Sequence, residues 1–174
     1  MSTHAIKVEA LQEVGTVSGK RLQTSAGRYP SSDILRQVTA AYIDTAMAAR
    51  QAHWNVRGEH ALKWYDLFET LYHDLDSHAG AIAERLVSLG ATPPGTVQVV
   101  TTTTSMVPFP SDMREATDLV EAIMVRLGQL ATLTRGALAE FERQGDPVTV
   151  HSLSEAAAAV EKQLWAIESQ SRPN

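Results

Sequence analysis

The sequence predicts an all-α protein, a single four-helix bundle with one long central crossover. Three observations predict it. Four long segments carry apolar residues at helical spacing. The links between the first two segments and between the last two are short, whereas the central link spans residues 91–110. A long central link is needed where the second and third helices run parallel, because a short turn joins only antiparallel neighbours.

The composition fits one globular domain and excludes several classes of protein. A chain of 174 residues buries roughly 70% of its unfolded surface. It has no cysteine, which excludes disulfides and thiolate metal sites. The formal net charge of −5 disfavours a nucleic-acid-binding globule. It favours a surface or cavity that attracts cations. The first residues lack the apolar core of a secretory signal and no 18-residue apolar run occurs, so we expect a soluble cytoplasmic protein without a membrane partner.

The chain divides into three predicted parts. Residues 1–30 form a polar, flexible N-terminal arm with a net charge of +2, residues 31–170 form the bundle, and residues 171–174 form a short C-terminal tail. We expect a second helix over about 59–89, a turn at 144–147 and a last helix from about Thr149. The first helix is expected to begin at the capping residues Ser31, Ser32 and Asp33, and the third helical pattern is expected to restart at Ser111 and Asp112. The stretch VQVVTTTT favours a strand but is too short for a sheet.

One face of the second helix carries chemistry-bearing side chains. At 100° per residue, this face lies beside the apolar stripe and carries Glu69, His73, Asp76 and Glu84. Asp74 and His78 point elsewhere and are predicted to pair at the surface. Imidazole and carboxylate ligands without sulfur suit iron(II), zinc or manganese, and bundles build di-iron sites from inward carboxylates. From spacing alone, the alternative to a metal site is an ordinary helix face that is exposed to solvent.

Four segments of the chain carry a resemblance to a known family. AHWNVRGEH at 52–60 and IAERLVSLGA at 82–91 resemble the Dps family, which are mini-ferritins of twelve subunits. TTTTSMVPFP at 101–110 resembles the central connection of that family, and EKQLW at 161–165 resembles its last helix. The resemblance implies a ferritin-like fold and a dodecameric shell. It further implies that the shell oxidises Fe(II) with peroxide or oxygen, stores ferric iron and protects the cell from oxidative damage under stress.

The resemblance also implies a metal site shared between two subunits. The family's first histidine ligand falls on His53, its aspartate on Glu69 and its last glutamate on Glu84, so these three are the predicted metal ligands. No catalytic residue is expected beyond the ligands. The family's second histidine falls on Tyr65, and its second aspartate falls on Gly80. Two ligand positions have therefore changed, which implies a slow or altered ferroxidase.

Other side chains could complete this site. Tyr65, His73 and Asp76 are the predicted substitute ligands, and zinc could compete with iron. Trp54 is predicted to lie near the site. The resemblance places Asp146 and His151 at the pores through which iron enters the shell.

The alternative to an oxidising shell is a catalytically impaired Dps homologue that acts as a structural or DNA-associating shell. A third hypothesis is an unrelated helical bundle that serves as an interaction module. The His-Trp-Asn and Ala-Glu-Arg segments disfavour this hypothesis. DNA binding is expected to be weak, because twelve copies at −5 each would give the shell a charge of −60.

Overall fold

The computed structural model describes residues 30–171, which form five helices. These are α1 (Pro30–Asn55), α2 (Ala61–Ser88), α3 (Val97–Thr103), α4 (Ala116–Gln144) and α5 (Pro147–Ser171). The long helices α1, α2, α4 and α5 form the bundle, which confirms the predicted all-α fold, and α3 lies in the crossover. The predicted arm and tail lie outside the described residues except for Pro30 and Ser171. None of the helices within this range is long and apolar enough to cross a membrane.

Contacts at the end of the bundle where α2 begins fix the helix directions. Arg57, just before α2, donates its N–H to the carbonyl of Arg114 at 2.8 Å and accepts from the N–H of Ala116 at 3.0 Å. The start of α2 therefore lies beside the start of α4, and these two helices run parallel. Lys63 near the start of α2 donates to the carbonyl of Gln170 near the end of α5 at 2.9 Å, so α2 and α5 run antiparallel. This arrangement is the one that requires a long crossover.

The core consists of the predicted apolar stripes. Every stripe residue of α2 is buried, namely Trp64, Phe68, Leu71, Leu75, Ile82 and Leu86. The phenol of Tyr42 is also buried, and its oxygen accepts a hydrogen bond from Thr134 at 3.3 Å. Burial raises the pKa of Tyr42 to about 12, although the Thr134 hydrogen bond opposes the rise. Helical periodicity therefore predicted the core faces correctly.

The predicted starts of α1 and α4 were wrong. Helix α1 begins at Pro30, so Ser31 and its neighbours lie in the first turn. Proline suits that first position because its φ is fixed and its missing N–H has no partner there in any case. Helix α4 begins only at Ala116, because the residues before it are held extended by pairing with Arg57.

The crossover contains a helix where the sequence favoured a strand. Thr96 caps α3 by accepting from the N–H of Val99 at 3.4 Å, and Thr101 donates to the carbonyl of Val97 at 2.6 Å. Val100 is buried, and α3 packs against α1. The weak strand preference of valine and threonine is thus overridden by burial of one side chain and by local hydroxyl hydrogen bonds.

An ion pair between a buried arginine and a half-buried aspartate ties the crossover to the bundle. Arg126 of α4 is 4% exposed, and its Nη2 lies 2.7 Å from Oδ1 of Asp44 on α1. Nη1 of Arg126 donates to the carbonyl of Val107 at 2.6 Å, and Thr104 donates to Oδ2 of Asp44 at 2.9 Å. Burial lowers the pKa of Arg126, and the Asp44 carboxylate opposes that change. The pair therefore joins two helices and the end of the crossover.

A second polar cluster joins α2 to α5. Arg85 donates from Nη2 to both carboxylate oxygens of Asp146, at 3.0 and 2.9 Å, and from Nε to Thr149 at 2.9 Å. Asp146 caps α5 by accepting from the N–H of Thr149 at 3.1 Å. This cap explains why α5 begins at Pro147, two residues before the predicted start. Arg85 was not among the predicted functional residues, although it is the arginine of the Ala-Glu-Arg segment.

Substitution of Asp44 tests the importance of the ion pair with Arg126. We expect Asp44→Ala to lower the free energy of unfolding by about 3 kcal/mol, because it leaves the Arg126 guanidinium buried without a counter-charge. Asp44→Asn keeps an acceptor for Thr104 and should cost less, roughly 1–2 kcal/mol. Chemical denaturation measures both values, and an unchanged Asp44→Ala protein would contradict the role of the pair.

The cap of α5 predicts a dependence of stability on pH. Burial raises the pKa of Asp146, but hydrogen bonds from Thr149 and Arg85 outweigh it and lower the pKa to about 2. A carboxyl whose pKa is depressed by folding stabilises the fold above its ordinary pKa of 3.8, and this stabilisation is lost as the pH falls toward 2.

We therefore expect Asp146→Asn to be less stable than the wild type by roughly 1.5 kcal/mol at neutral pH. The difference should shrink between pH 4 and pH 2 in denaturant titrations. Asp112→Asn removes an exposed carboxylate and is the matched control, for which a small and constant difference is expected. A difference for Asp146→Asn that stays constant down to pH 2 would disprove the assignment.

Candidate metal site

His53 lies in the last turn of α1 and is 8% exposed. Its Nδ1 lies 3.0 Å from the backbone carbonyl oxygen of Tyr65 on α2. Because a carbonyl oxygen only accepts, Nδ1 is the donor in this contact, and Nε2 is the ring nitrogen left without a partner within residues 30–171. Such a contact fixes the tautomer and orientation of a metal-binding imidazole. The structure therefore presents His53 as a pre-oriented nitrogen donor.

The side chain of Tyr65 lies directly against that imidazole. The two ring centroids are 3.9 Å apart, and the ring planes are inclined by 35°. The tyrosine side chain is 41% exposed, and its hydroxyl makes no hydrogen bond to any residue within 30–171. Tyr65, at the position where the resemblance implies a second histidine, is thus packed beside His53.

The predicted carboxylate ligands lie on the open face of α2. Glu69 and Glu84 are exposed, and neither forms an ion pair or a side-chain hydrogen bond with another described residue. The same holds for Asp76, whereas exposed His73 has its ring 4.7 Å from that of Tyr72. In the part of the chain that the structure covers, no three histidine or acidic residues converge as a metal site. One protomer therefore supplies donors but no complete cluster.

Gly80 leaves unused space on this face. The residue is exposed, and a Cβ added there would meet no atom within 4 Å outside its own helix backbone. Its backbone is helical, where glycine is unfavourable relative to alanine. Packing within the protomer therefore does not require glycine at this position, and a larger side chain would fit.

The predicted surface pair of Asp74 and His78 was wrong. Both side chains are half-buried. Asp74 accepts a hydrogen bond from Gln163 of α5, and the ring of His78 lies edge-on to Tyr42 at 6.5 Å. These two residues hold α2 against its neighbours and do not belong to the candidate site.

Trp54 lies on the surface of the protomer next to the candidate site in sequence. Its side chain is 61% exposed, and the guanidinium of Arg50 lies 4.9 Å from its ring. The same guanidinium lies 5.4 Å from the ring of Tyr72 on α2. Arg50 therefore joins two aromatic rings through cation–π contacts, and Trp54 is not packed into the protomer core.

The two residues predicted at a pore differ in their surroundings. Asp146 is held by Arg85, so the charge of its carboxylate is neutralised locally. His151 is exposed on α5, and its Nε2 lies 3.6 Å from the carboxylate of Glu155, which is also exposed. Cation attraction at this end would therefore depend on Glu155 more than on Asp146.

Comparisons with known proteins identify the family. The ferritin-like domain model matches residues 32–172. The DNA protection during starvation protein of Agrobacterium fabrum is 36% identical over 135 residues, which cover 78% of this chain and 83% of that protein.

Solved structures agree in fold. The Dps protein of Vibrio cholerae has a TM-score of 0.77 at 22% identity, covering 82% of this chain and 89% of that one. Listeria innocua Dps soaked with zinc has a TM-score of 0.75 at 22% identity, with coverages of 80% and 94%. Likeness at such identities supports the fold alone, whereas the sequence matches establish the family. The chain is a member of the ferritin-like family and, within it, of the Dps family.

Proposed function

We propose that this protein sequesters iron in an oligomeric shell, binding Fe(II), oxidising it with peroxide or oxygen and storing the ferric product. The observation that carries the proposal is the pre-oriented imidazole of His53, whose Nδ1 is fixed by the carbonyl of Tyr65 and whose Nε2 has no partner within residues 30–171. The names of the relatives support a protective role, and the Vibrio cholerae protein is described as a ferritin-like diiron-carboxylate protein.

The proposed site needs two subunits. Because no complete cluster forms within residues 30–171 of one protomer, His53 and Glu69 of one subunit would bind iron together with the partner subunit's Glu84. Asp76 and His73 could supply the donor that Gly80 lacks. The homo-oligomer is then part of the chemistry, and we expect a dodecamer in the cytoplasm.

The donors determine what the site does to its substrate. Imidazole nitrogen and carboxylate oxygen bind Fe(II), and anionic oxygen ligands stabilise the higher charge of Fe(III). Each ferrous ion gives one electron, so two ions reduce one molecule of peroxide to water with two protons taken from solvent. Zinc accepts the same donors but has no redox chemistry, so it would act as a competing ion.

A catalytically impaired shell is the second candidate. The changes to Tyr65 and Gly80 favour it, because two of five ligand positions no longer carry the family's donor. Such a protein would act through its assembly or through weak association with DNA. The two candidates differ in whether Fe(II) is oxidised faster than in buffer.

An anaerobic Fe(II) titration of the metal-free assembly, followed by peroxide, tests the proposal. We expect saturable binding and rapid formation of ferric absorbance in the wild type. Glu84→Ala should lose both, while Glu121→Ala removes an exposed carboxylate on α4 and is the control. If wild type and Glu84→Ala both match buffer, the protein is the impaired shell.

Gly80 offers a gain-of-function test. Gly80→Asp places a carboxylate on the open face without a steric clash in the protomer, and we expect it to tighten Fe(II) binding by about tenfold, or about 1.4 kcal/mol. Gly80→Ala is the matched control for helix propensity and should only raise the free energy of unfolding, by about 0.5–1 kcal/mol. Equal iron affinity in both variants would show that position 80 does not face the metal.

A further inference from the structure

We propose that the phenol oxygen of Tyr65 is a ligand for the ferric product, so that the site retains Fe(III) after oxidation. The inference rests on the proposed function in that it uses the same face of the molecule. The inference goes beyond the proposed function because it assigns to Tyr65 a preference for the oxidised ion.

The Tyr65 side chain lies against the imidazole of His53. The two ring centroids are 3.9 Å apart, and the ring planes are inclined by 35°. Bonds from nitrogen or oxygen donors to a first-row metal ion are roughly 2 Å long. The proposal places one ion between the two side chains, and the exposed Tyr65 side chain would rotate to bring its oxygen to that ion.

The Tyr65 hydroxyl has no hydrogen-bond partner within residues 30–171, and its surroundings differ from those of Tyr42 and Tyr72. Tyr42 is fully buried and accepts a hydrogen bond from Thr134. Tyr72 has the Arg50 guanidinium 5.4 Å from its ring, and this positive charge repels a metal cation. Tyr65 has a partly exposed ring, no hydrogen-bond partner for its hydroxyl within residues 30–171, and a histidine donor at its side.

A phenolate favours ferric over ferrous iron. It is an anionic oxygen donor, which suits the small and highly charged ferric ion better than the ferrous ion, and tyrosine is an established iron ligand in proteins. On binding, the phenol loses its proton to water and the new bond joins oxygen to Fe(III), so no electron is transferred. A histidine at this position would bind both oxidation states without that charge. The exchange of histidine for tyrosine thus favours retention of the product over rapid turnover.

Direct addition of ferric ion tests the proposal without relying on the oxidation step. The metal-free assembly is mixed with ferric nitrilotriacetate, and the visible spectrum is recorded for the phenolate-to-iron charge-transfer band, with resonance Raman spectra to identify phenolate vibrations. Tyr65→Phe removes only the hydroxyl and keeps the ring against His53. Tyr72→Phe is the matched control.

We expect the band in the wild type and in Tyr72→Phe, and its loss in Tyr65→Phe. A band that persists in Tyr65→Phe, or a wild type without a band, overturns the proposal. The Fe(II) titration is scored separately. If iron is oxidised but no charge-transfer band appears, Tyr65 is not a ferric ligand and the proposed function still stands. If the band appears without oxidation, Tyr65 is a ferric ligand and the proposed ferroxidase activity is wrong.

Discussion

The ion pair between the buried guanidinium of Arg126 and the half-buried carboxylate of Asp44 holds the crossover and two of the long helices together. A guanidinium that is 4% exposed must have a counter-charge, and the carboxylate on α1 supplies it. The same guanidinium holds the carbonyl of Val107, which places the end of the crossover against the bundle. Parallel α2 and α4 are possible only because this connection crosses the length of the molecule and is fixed at its end.

The candidate site depends in turn on the junction between α1 and α2. Gly58 has a φ of +93°, and a Cβ there would lie 2.9 Å from a carboxylate oxygen of Glu115. His60 follows in the left-handed region with a φ of 61°. This turn brings the first turns of α2 against the last turn of α1, so the carbonyl of Tyr65 reaches His53. The orientation of the imidazole is therefore a consequence of backbone geometry.

Gly80 and Tyr65, the two positions where the resemblance implies a changed ligand, differ in their physical surroundings. At Gly80 the exposed face is empty, because an added Cβ would meet no atom within 4 Å outside its own helix backbone. At position 65 an aromatic ring packs against His53. The proposed loss of a donor at position 80 and the proposed phenol ligand at position 65 are therefore independent of each other and can be tested by separate substitutions.

The helical class, the parallel second and third long helices, the buried face of α2 and the family could all be predicted from the amino-acid sequence, because periodicity, link length and short motifs are local properties of the chain. The same motifs indicated His53 and Glu84. The pairing of Arg126 with Asp44, the contact of Arg85 with Asp146 and the packing of Tyr65 on His53 became visible once the helices were packed together. These contacts join side chains of different helices, and no local pattern specifies which polar groups meet when the helices pack. The helix α3 was missed for a related reason, since its valines and threonines favour a strand until the burial of Val100 against the bundle decides otherwise.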